Sequence, residues 1–338
     1  MKTTLIRTLK FTIFLAIGIL LLYYSFKGVD FKSFAEVLGH TNYYWIAISL
    51  IFMWISVIIR AHRWNLLIET FHTKPSTWDS YHAVMVGYIA NYAFPRMGEV
   101  TRCAMLFKTN KISVDKLIGS VIVERVIDLL TLLFLAILVF FIRIDTFGAF
   151  FSDKIFKPIF NGINASNALS LIITSIILLI IALSIWFLRN KIKQHTIIQR
   201  SKSFFIGIAK GLKSFVLVKN KPEFIFYTIA MWVCYWLSTW LLVLSLPATA
   251  QLGLIDALFI LTIGSLGMSV PVQGGIGAYH AIVSLGLLLF GLTREEGLAF
   301  AIISHESQMI GIILLGCVSL AYIYVVSHRK KSNNNLIK

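Results

Sequence analysis

Asn91-Tyr92-Ala93-Phe94-Pro95-Arg96-Met97-Gly98-Glu99-Val100-Thr101-Arg102 decides how this chain is to be read. It closes an apolar run, residues 81–94, that is too short to cross a bilayer, because a spanning helix needs roughly 20 residues for ~30 Å of hydrocarbon. Proline and glycine then break the backbone, and Arg96, Glu99 and Arg102 follow closely. Broken backbone at membrane depth persists only where protein or a water-filled cavity satisfies its hydrogen bonds. Charges at that depth mark a pathway or a binding site. The plainer alternative is a helix emerging into a basic cytoplasmic loop, with Arg96 and Arg102 as interfacial anchors. A second broken segment further along favours the first reading.

Composition sets the class. Of 338 residues, 58% are hydrophobic and 14% charged, and the mean hydropathy is +0.82. Apolar runs recur from end to end, as in a polytopic membrane protein. No stretch is long and polar enough for a soluble catalytic domain, so one membrane domain over 1–338 is expected. The net charge of +16 sits in short connections between apolar runs. Orientation signals and anionic headgroups account for it there, and nucleic acid is not implied. Residues 9–26 lack a small-x-small cleavage site and read as a retained helix rather than a signal peptide. Cys103, Cys234 and Cys317 have neither disulfide-like nor metal-like spacing.

The apolar runs lie near 9–26, 43–60, 81–94, 117–142, 169–188, 224–246, 254–270, 276–291 and 298–326. Connections 60–80, 96–116 and 189–223 are basic and belong inside, while 27–42, 143–168 and 292–297 belong outside. Two consecutive inside connections force residues 81–107 to enter and return as a re-entrant hairpin. Pro271-Val272-Gln273-Gly274-Gly275 breaks a second hairpin in the corresponding place. The chain then reads as all-α, a polytopic integral membrane helical bundle of two inverted repeats, each with a re-entrant helical hairpin. Repeat 1 covers about 9–142 and repeat 2 about 169–326, with the basic cytoplasmic connection 189–223. Paired Gly/Pro-interrupted segments in two halves point to a transporter site. A plain bundle of eight or nine spans is the alternative.

Each break is followed by a helix that carries polar groups. In the first half these are Glu124, Arg125 and Asp128; in the second, His305, Glu306 and Gln308. Glu124 and Asp128 share a helix face, and Arg125, three residues before Asp128, is placed to pair with it. The group lines a polar path or ties helices together. The six charges Arg96, Glu99, Arg102, Glu124, Arg125 and Asp128 are expected to cluster, since buried charge needs nearby partners. Arg60, Arg63 and Trp64 end the second span, either as interfacial anchors or as a guanidinium fork for a lipid phosphate. Gln273-Gly274-Gly275-Ile276-Gly277 lacks a Walker lysine. It reads as a tip where helices approach closely or where amides meet an anion. His280 reads as a hydrogen-bonded structural residue. His305-Glu306 is not HExxH, because position 309 is Met, so a zinc-protease site is not expected. Asn164-Ala165-Ser166 is a weak sequon.

With these motifs in view, the chain resembles the polytopic flippase domain of the lysylphosphatidylglycerol synthase/flippase family. Arg60, Arg63 and Trp64 match its Arg-x-x-Arg-Trp, and Asn91, Pro95, Gly98, Glu99 and Arg102 match its Asn-x-x-x-Pro-x-x-Gly-Glu-x-x-Arg. Glu124, Arg125 and Asp128 match Glu-Arg-x-x-Asp, and Pro271, Gly274, Gly275 and Gly277 match Pro-x-x-Gly-Gly-x-Gly. The chain departs at His280, where the family often has a glutamate shortly after the glycines. The soluble lysyl-transferase domain of some members is not expected here.

The resemblance implies an inner-membrane lipid transporter without cofactor or metal, with cytoplasmic termini. It would move a phosphate-bearing phospholipid or polyprenyl-linked lipid between leaflets. The substrate-binding candidates are Arg60, Arg63, Asn91, Arg96, Glu99, Arg102, Glu124, Arg125, Asp128, Gly274, Gly275, Gly277 and His280. A homo-oligomer or a separate lipid-modifying enzyme are the protein partners this allows. The alternatives are a membrane-embedded transferase using a lipid-linked donor, with Glu99 or Asp128 as base, and a non-catalytic partner of another membrane complex.

Overall fold

Asp30, Asn42, Ser76 and Asn220 each stand just ahead of a helical run, and each caps it by accepting backbone amides with its side chain. The computed structural model describes residues 2–144 and 218–336, and among them every regular element is helical. The chain divides into two compact units, Met1–Val139 with Leu217–Lys338, and Phe140–Val216. The expected span 169–188, the sequon and most of the connections 143–168 and 189–223 lie outside the described residues.

Ten α-helices are described: α1 (Lys2–Phe26), α2 (Phe31–Gly39), α3 (Tyr43–Ile68), α4 (Thr77–Ala93), α5 (Gly98–Asn110), α6 (Val114–Ile142), α7 (Lys221–Val243), α8 (Leu254–Ser269), α9 (Ala278–Leu287) and α10 (Arg294–Leu336). Among the described residues, five stretches are long and apolar enough to cross a membrane: Tyr43–Phe71, Val114–Ile142, Lys221–Val243, Gln273–Phe290 and Arg294–Val326. The fourth reaches that length only by joining α9 to the short 3-10 turns on either side.

α4 and α5 form an antiparallel pair. Near the break the amide of Gly98 donates to Asn91 Oδ1 at 2.7 Å, and at the far end Asn110 Nδ2 donates to Asp79 Oδ2 at 3.2 Å. At 1.5 Å per residue the arms are about 25 and 20 Å long, short of ~30 Å of hydrocarbon. The turn is tight enough that a Cβ on Gly98 would strike the Gly87 carbonyl oxygen. α8 and α9 pair in the same way, with Gly267 against Ala278 and Tyr279, and Phe259 against Phe290 at 5.4 Å.

The two halves interlock. α3 packs along α7, where Ser238 Oγ donates to the Ser49 carbonyl at 3.0 Å. α10 touches both hairpins: His82 of α4 stacks on Tyr322 at 3.9 Å, and His305 reaches Gly274 beside α9. α1 lies against the second break, with Gly18 so close to Gly277 that a side chain there would collide with the Gly18 carbonyl.

Two expectations need correction. Residues 60–68 are not part of a connection, because α3 continues to Ile68. Arg60, Arg63 and Trp64 are all buried, so none is an interfacial anchor. Trp64 Nε1 donates to Ser120 Oγ of α6 at 2.9 Å, and the two arginines meet acidic partners on the same helix. The connection 27–42 also holds a helix, α2, for which the apolar runs give no sign.

Candidate functional site

α6 offers Glu124 and Asp128 one turn apart, both buried, and α3 offers Arg60 and Arg63 opposite them. Arg60 Nη1 lies 3.0 Å from Glu124 Oε1, and Nη2 donates to Asp128 Oδ2 at 3.0 Å. Arg63 Nη2 sits 3.3 Å from Glu124 Oε1 and 2.7 Å from Asp128 Oδ1, while its Nη1 donates to Thr228 Oγ1 of α7 at 3.4 Å. Arg102 of α5 completes the group. Its Nη1 is 3.0 Å from Glu124 Oε2, and its guanidinium lies over the Trp64 ring at 4.6 Å. Glu124 therefore meets three arginines from two elements, which ties the first hairpin to α3 and α6.

Arg125 does not pair with Asp128. Its Nε lies 3.4 Å from Glu99 Oε1 on α5, and both side chains are partly exposed, at 41% and 30%. Asp128 is occupied by Arg60 and Arg63, and the step of one residue along α6 turns Arg125 to another face. Arg96 is also apart from the cluster. It is exposed, its φ is +60°, and its Nη2 donates to the Ser269 carbonyl at 3.4 Å, joining the first break to the second. Of the six charges expected together, Arg102, Glu124 and Asp128 lie in the buried group with Arg60 and Arg63, Glu99 and Arg125 form a pair of their own, and Arg96 stands apart.

Arg60, Arg63, Arg102 and Arg125 face Glu99, Glu124 and Asp128, so the group holds one more cation than anion. A cavity of about 740 Å³ opens beside it. Arg60, Asn91, Arg96, Glu99, Arg125 and Asp128 line it from the first half, and residues 268–272, Gly274, Gly275, Tyr279 and Gln308 from the second. Arg63, Arg102 and Glu124 stand behind the wall, and Gly277 and His280 also lie off the cavity. Because Trp64 meets Ser120 while Arg60 meets Asp128, α3 and α6 run antiparallel here. Moving away from the charges along both helices, the lining becomes uncharged and mostly apolar, with Val57, Ser56 and Met53 on α3 and Leu129 and Leu132 on α6, and Ser238 and Thr239 of α7 nearby. The cavity carries the Arg60, Asp128, Glu99 and Arg125 charges at one end and a mostly apolar lining along α3 and α6 beyond them.

Several lining residues escape sequence reasoning. Tyr88 and Tyr92, four apart on α4, put two phenol rings in the wall with Tyr235 of α7. Their helical spacing was visible in the sequence, but aromatic residues at that spacing equally mark a packed face.

The second break carries its own polar group. His280 is not alone: its Nε2 lies 3.4 Å from Glu306 Oε1, and His305 Nδ1 is 3.0 Å from the same oxygen. The three ligand-type atoms are within 4.8 Å of one another, a spacing a small cation could use. The Gly277 amide donates to His280 Nδ1 at 3.2 Å, however, which leaves the ring proton on Nε2 and no lone pair there for an ion. In the first group each carboxylate is already against an arginine.

Comparison with known proteins adds the following. The family model described as the lysylphosphatidylglycerol synthase TM region matches residues 11–316. The UPF0104 membrane protein MJ1595 of Methanocaldococcus jannaschii is 23% identical over 341 residues, covering 96% of this chain and 98% of its own length. No solved structure matches.

Proposed function

This chain belongs to the lysylphosphatidylglycerol synthase transmembrane-region family and is a multi-pass membrane protein, and on that premise we propose that it moves a phosphate-bearing lipid between leaflets. The single observation that carries the reading is the cavity of about 740 Å³ with charge at one end and a mostly apolar wall beyond. A lipid headgroup needs cationic donors, and its acyl or prenyl tails need apolar surface. The surplus positive charge favours an anionic headgroup. Arg125 and Arg96 are the arginines exposed enough to touch it, and a guanidinium presents a planar fork that suits phosphate.

In this reading both hairpins are re-entrant and belong to inverted repeats, which would bring the two breaks together near mid-membrane. The protein resides in the cell membrane with both termini cytoplasmic, and its cargo is a phospholipid or polyprenyl-linked lipid. The arginine contacts on Glu99 and Asp128 support transport over a transferase in which either acts as base, because guanidinium N–H groups already engage their oxygens.

The test is purified protein in vesicles holding a trace of headgroup-labelled anionic phospholipid, with loss of outer-leaflet signal to an impermeant quencher. Transport predicts that the protected inner-leaflet pool becomes quenchable in protein-containing vesicles. Vesicles that protect half the label whether or not protein is present would refute it.

A further inference from the structure

His280 and His305 are buried on either side of Glu306, whose side chain is one-third exposed. Each ring has one nitrogen whose partner can play only one role. The Gly277 amide can only donate, so His280 Nδ1 accepts and the ring proton sits on Nε2, facing Glu306 Oε1. The Gly274 carbonyl oxygen, 2.8 Å from His305 Nε2, can only accept, so that nitrogen carries a proton. In a neutral ring His305 Nδ1 then presents a lone pair to Glu306 Oε1 at 3.0 Å. Two lone pairs at that distance repel, and one added proton turns the contact into a charge-assisted hydrogen bond.

We propose that His305 Nδ1 and Glu306 Oε1 together bind one exchangeable proton, with His280 as a fixed neutral donor, and that its release loosens the second break at the cavity. The link is direct: the ring that shares the proton also holds the Gly274 carbonyl, and Gly274 lines the cavity. The released proton leaves through the exposed side of Glu306. From α9, Tyr279 faces both rings at 6.1 and 5.2 Å, with its hydroxyl on Ser304 of α10. From α4, the Tyr92 ring packs at Gly274. α1 brings the Gly18 and Leu22 backbone to Gly277, and α8 brings Met268 to Gly275. Among the described residues no arginine or lysine pairs with Glu306, so the proton is its counter-charge.

The proton site stands on this geometry alone, whereas its coupling to transport rests on the lipid-transport reading. Nitrogen NMR of histidine-labelled full-length protein in nanodiscs tests the site. The signal missing in His280→Gln should keep its Nε2–H form across the range where histidine titrates. The signal missing in His305→Gln should change at Nδ1 in one step. Glu306→Gln should weaken proton binding at His305 at least about tenfold, while Glu306→Asp should retain a single, displaced step. The site is overturned if Glu306→Gln leaves His305 unchanged, if both rings titrate alike, or if equimolar zinc shifts both together. In vesicles, wild-type transport should follow the His305 step and lose its pH dependence in Glu306→Gln. Transport whose pH profile survives that change overturns the coupling. Absence of wild-type transport overturns the coupling and the transport reading, but not the proton site.

Discussion

Asn91 Oδ1 accepts the Gly98 amide at 2.7 Å, so a side chain from the helix before the break holds the first turn of the helix after it. That amide is one of the donors a helix start leaves without an internal partner. Gly98 is also wedged against Gly87, so no larger residue could offer its amide there. Asn91→Leu should cost about 1–3 kcal/mol, the usual penalty for a buried donor left unpaired. Asn91→Asp, which keeps an acceptor, should cost less. Thermal unfolding in detergent ranks the three, and an Asn91→Leu protein as stable as wild type would show that the bond does not hold the hairpin.

Glu124 is the shared anion of Arg60, Arg63 and Arg102. Glu124→Gln leaves Arg60 and Arg63 with Asp128 and strands Arg102, whose ion pair is with Glu124. Breaking a buried charge group by removing one partner costs about 3–5 kcal/mol. Replacing Arg102 by Met in the same protein removes one stranded cation and should recover part of that loss. Unfolding of the two single variants and the double variant forms a cycle, and strict additivity would mean that the pair is not coupled.

Arg125 and Glu99 form the exposed counterpart of the buried group, and the pair should matter to transport more than to folding. A partly exposed ion pair is worth less than about 1 kcal/mol, so Arg125→Gln should melt near wild type. Its vesicle transport should fall to a small fraction of normal, and Arg125→Lys should fall between, because charge remains while the fork is lost. Full transport in Arg125→Gln would remove this residue from the headgroup site.

The places where the backbone breaks were legible in the sequence, because proline and glycine act locally. Pro95 and Gly98 bound one break, and Pro271 and Gly275 the other. The helices were legible too, apart from α2, whose nine residues are too few to stand out as an apolar run. Partners were harder to read. Arg125 sits three residues from Asp128, and that local pairing is all a sequence displays, whereas Glu99 is brought to it by the turn of the hairpin. Arg60 and Arg63 follow a long apolar run, where a snorkelling arginine and one that faces a carboxylate on another helix look the same. His280 reads in sequence only as a hydrogen-bonded structural residue, because its partner Glu306 lies on the next helix. Arg102 does meet Glu124 as the sequence reading expects, whereas Arg125 meets Glu99 and not Asp128.

Arg96 allows backbone and charge to be separated. Its φ of +60° puts a non-glycine residue in the left-handed region, which costs roughly 1–2 kcal/mol. Glycine carries no such penalty, so Arg96→Gly should fold as well as wild type or melt slightly higher, although glycine's looser unfolded chain offsets part of the gain. Arg96→Ala keeps the strain and loses the side chain, so it should be the less stable of the two. Both remove the guanidinium that reaches the Ser269 carbonyl across the cavity. If that guanidinium gathers headgroups, both should transport poorly despite their different stabilities, and Arg96→Lys should regain part of the activity through charge alone. If Arg96 serves only to shape the turn, Arg96→Gly should transport as well as wild type. Transport and melting measured on the same three preparations separate these outcomes. Wild-type transport in Arg96→Gly would leave Arg125 as the arginine on which the headgroup reading depends.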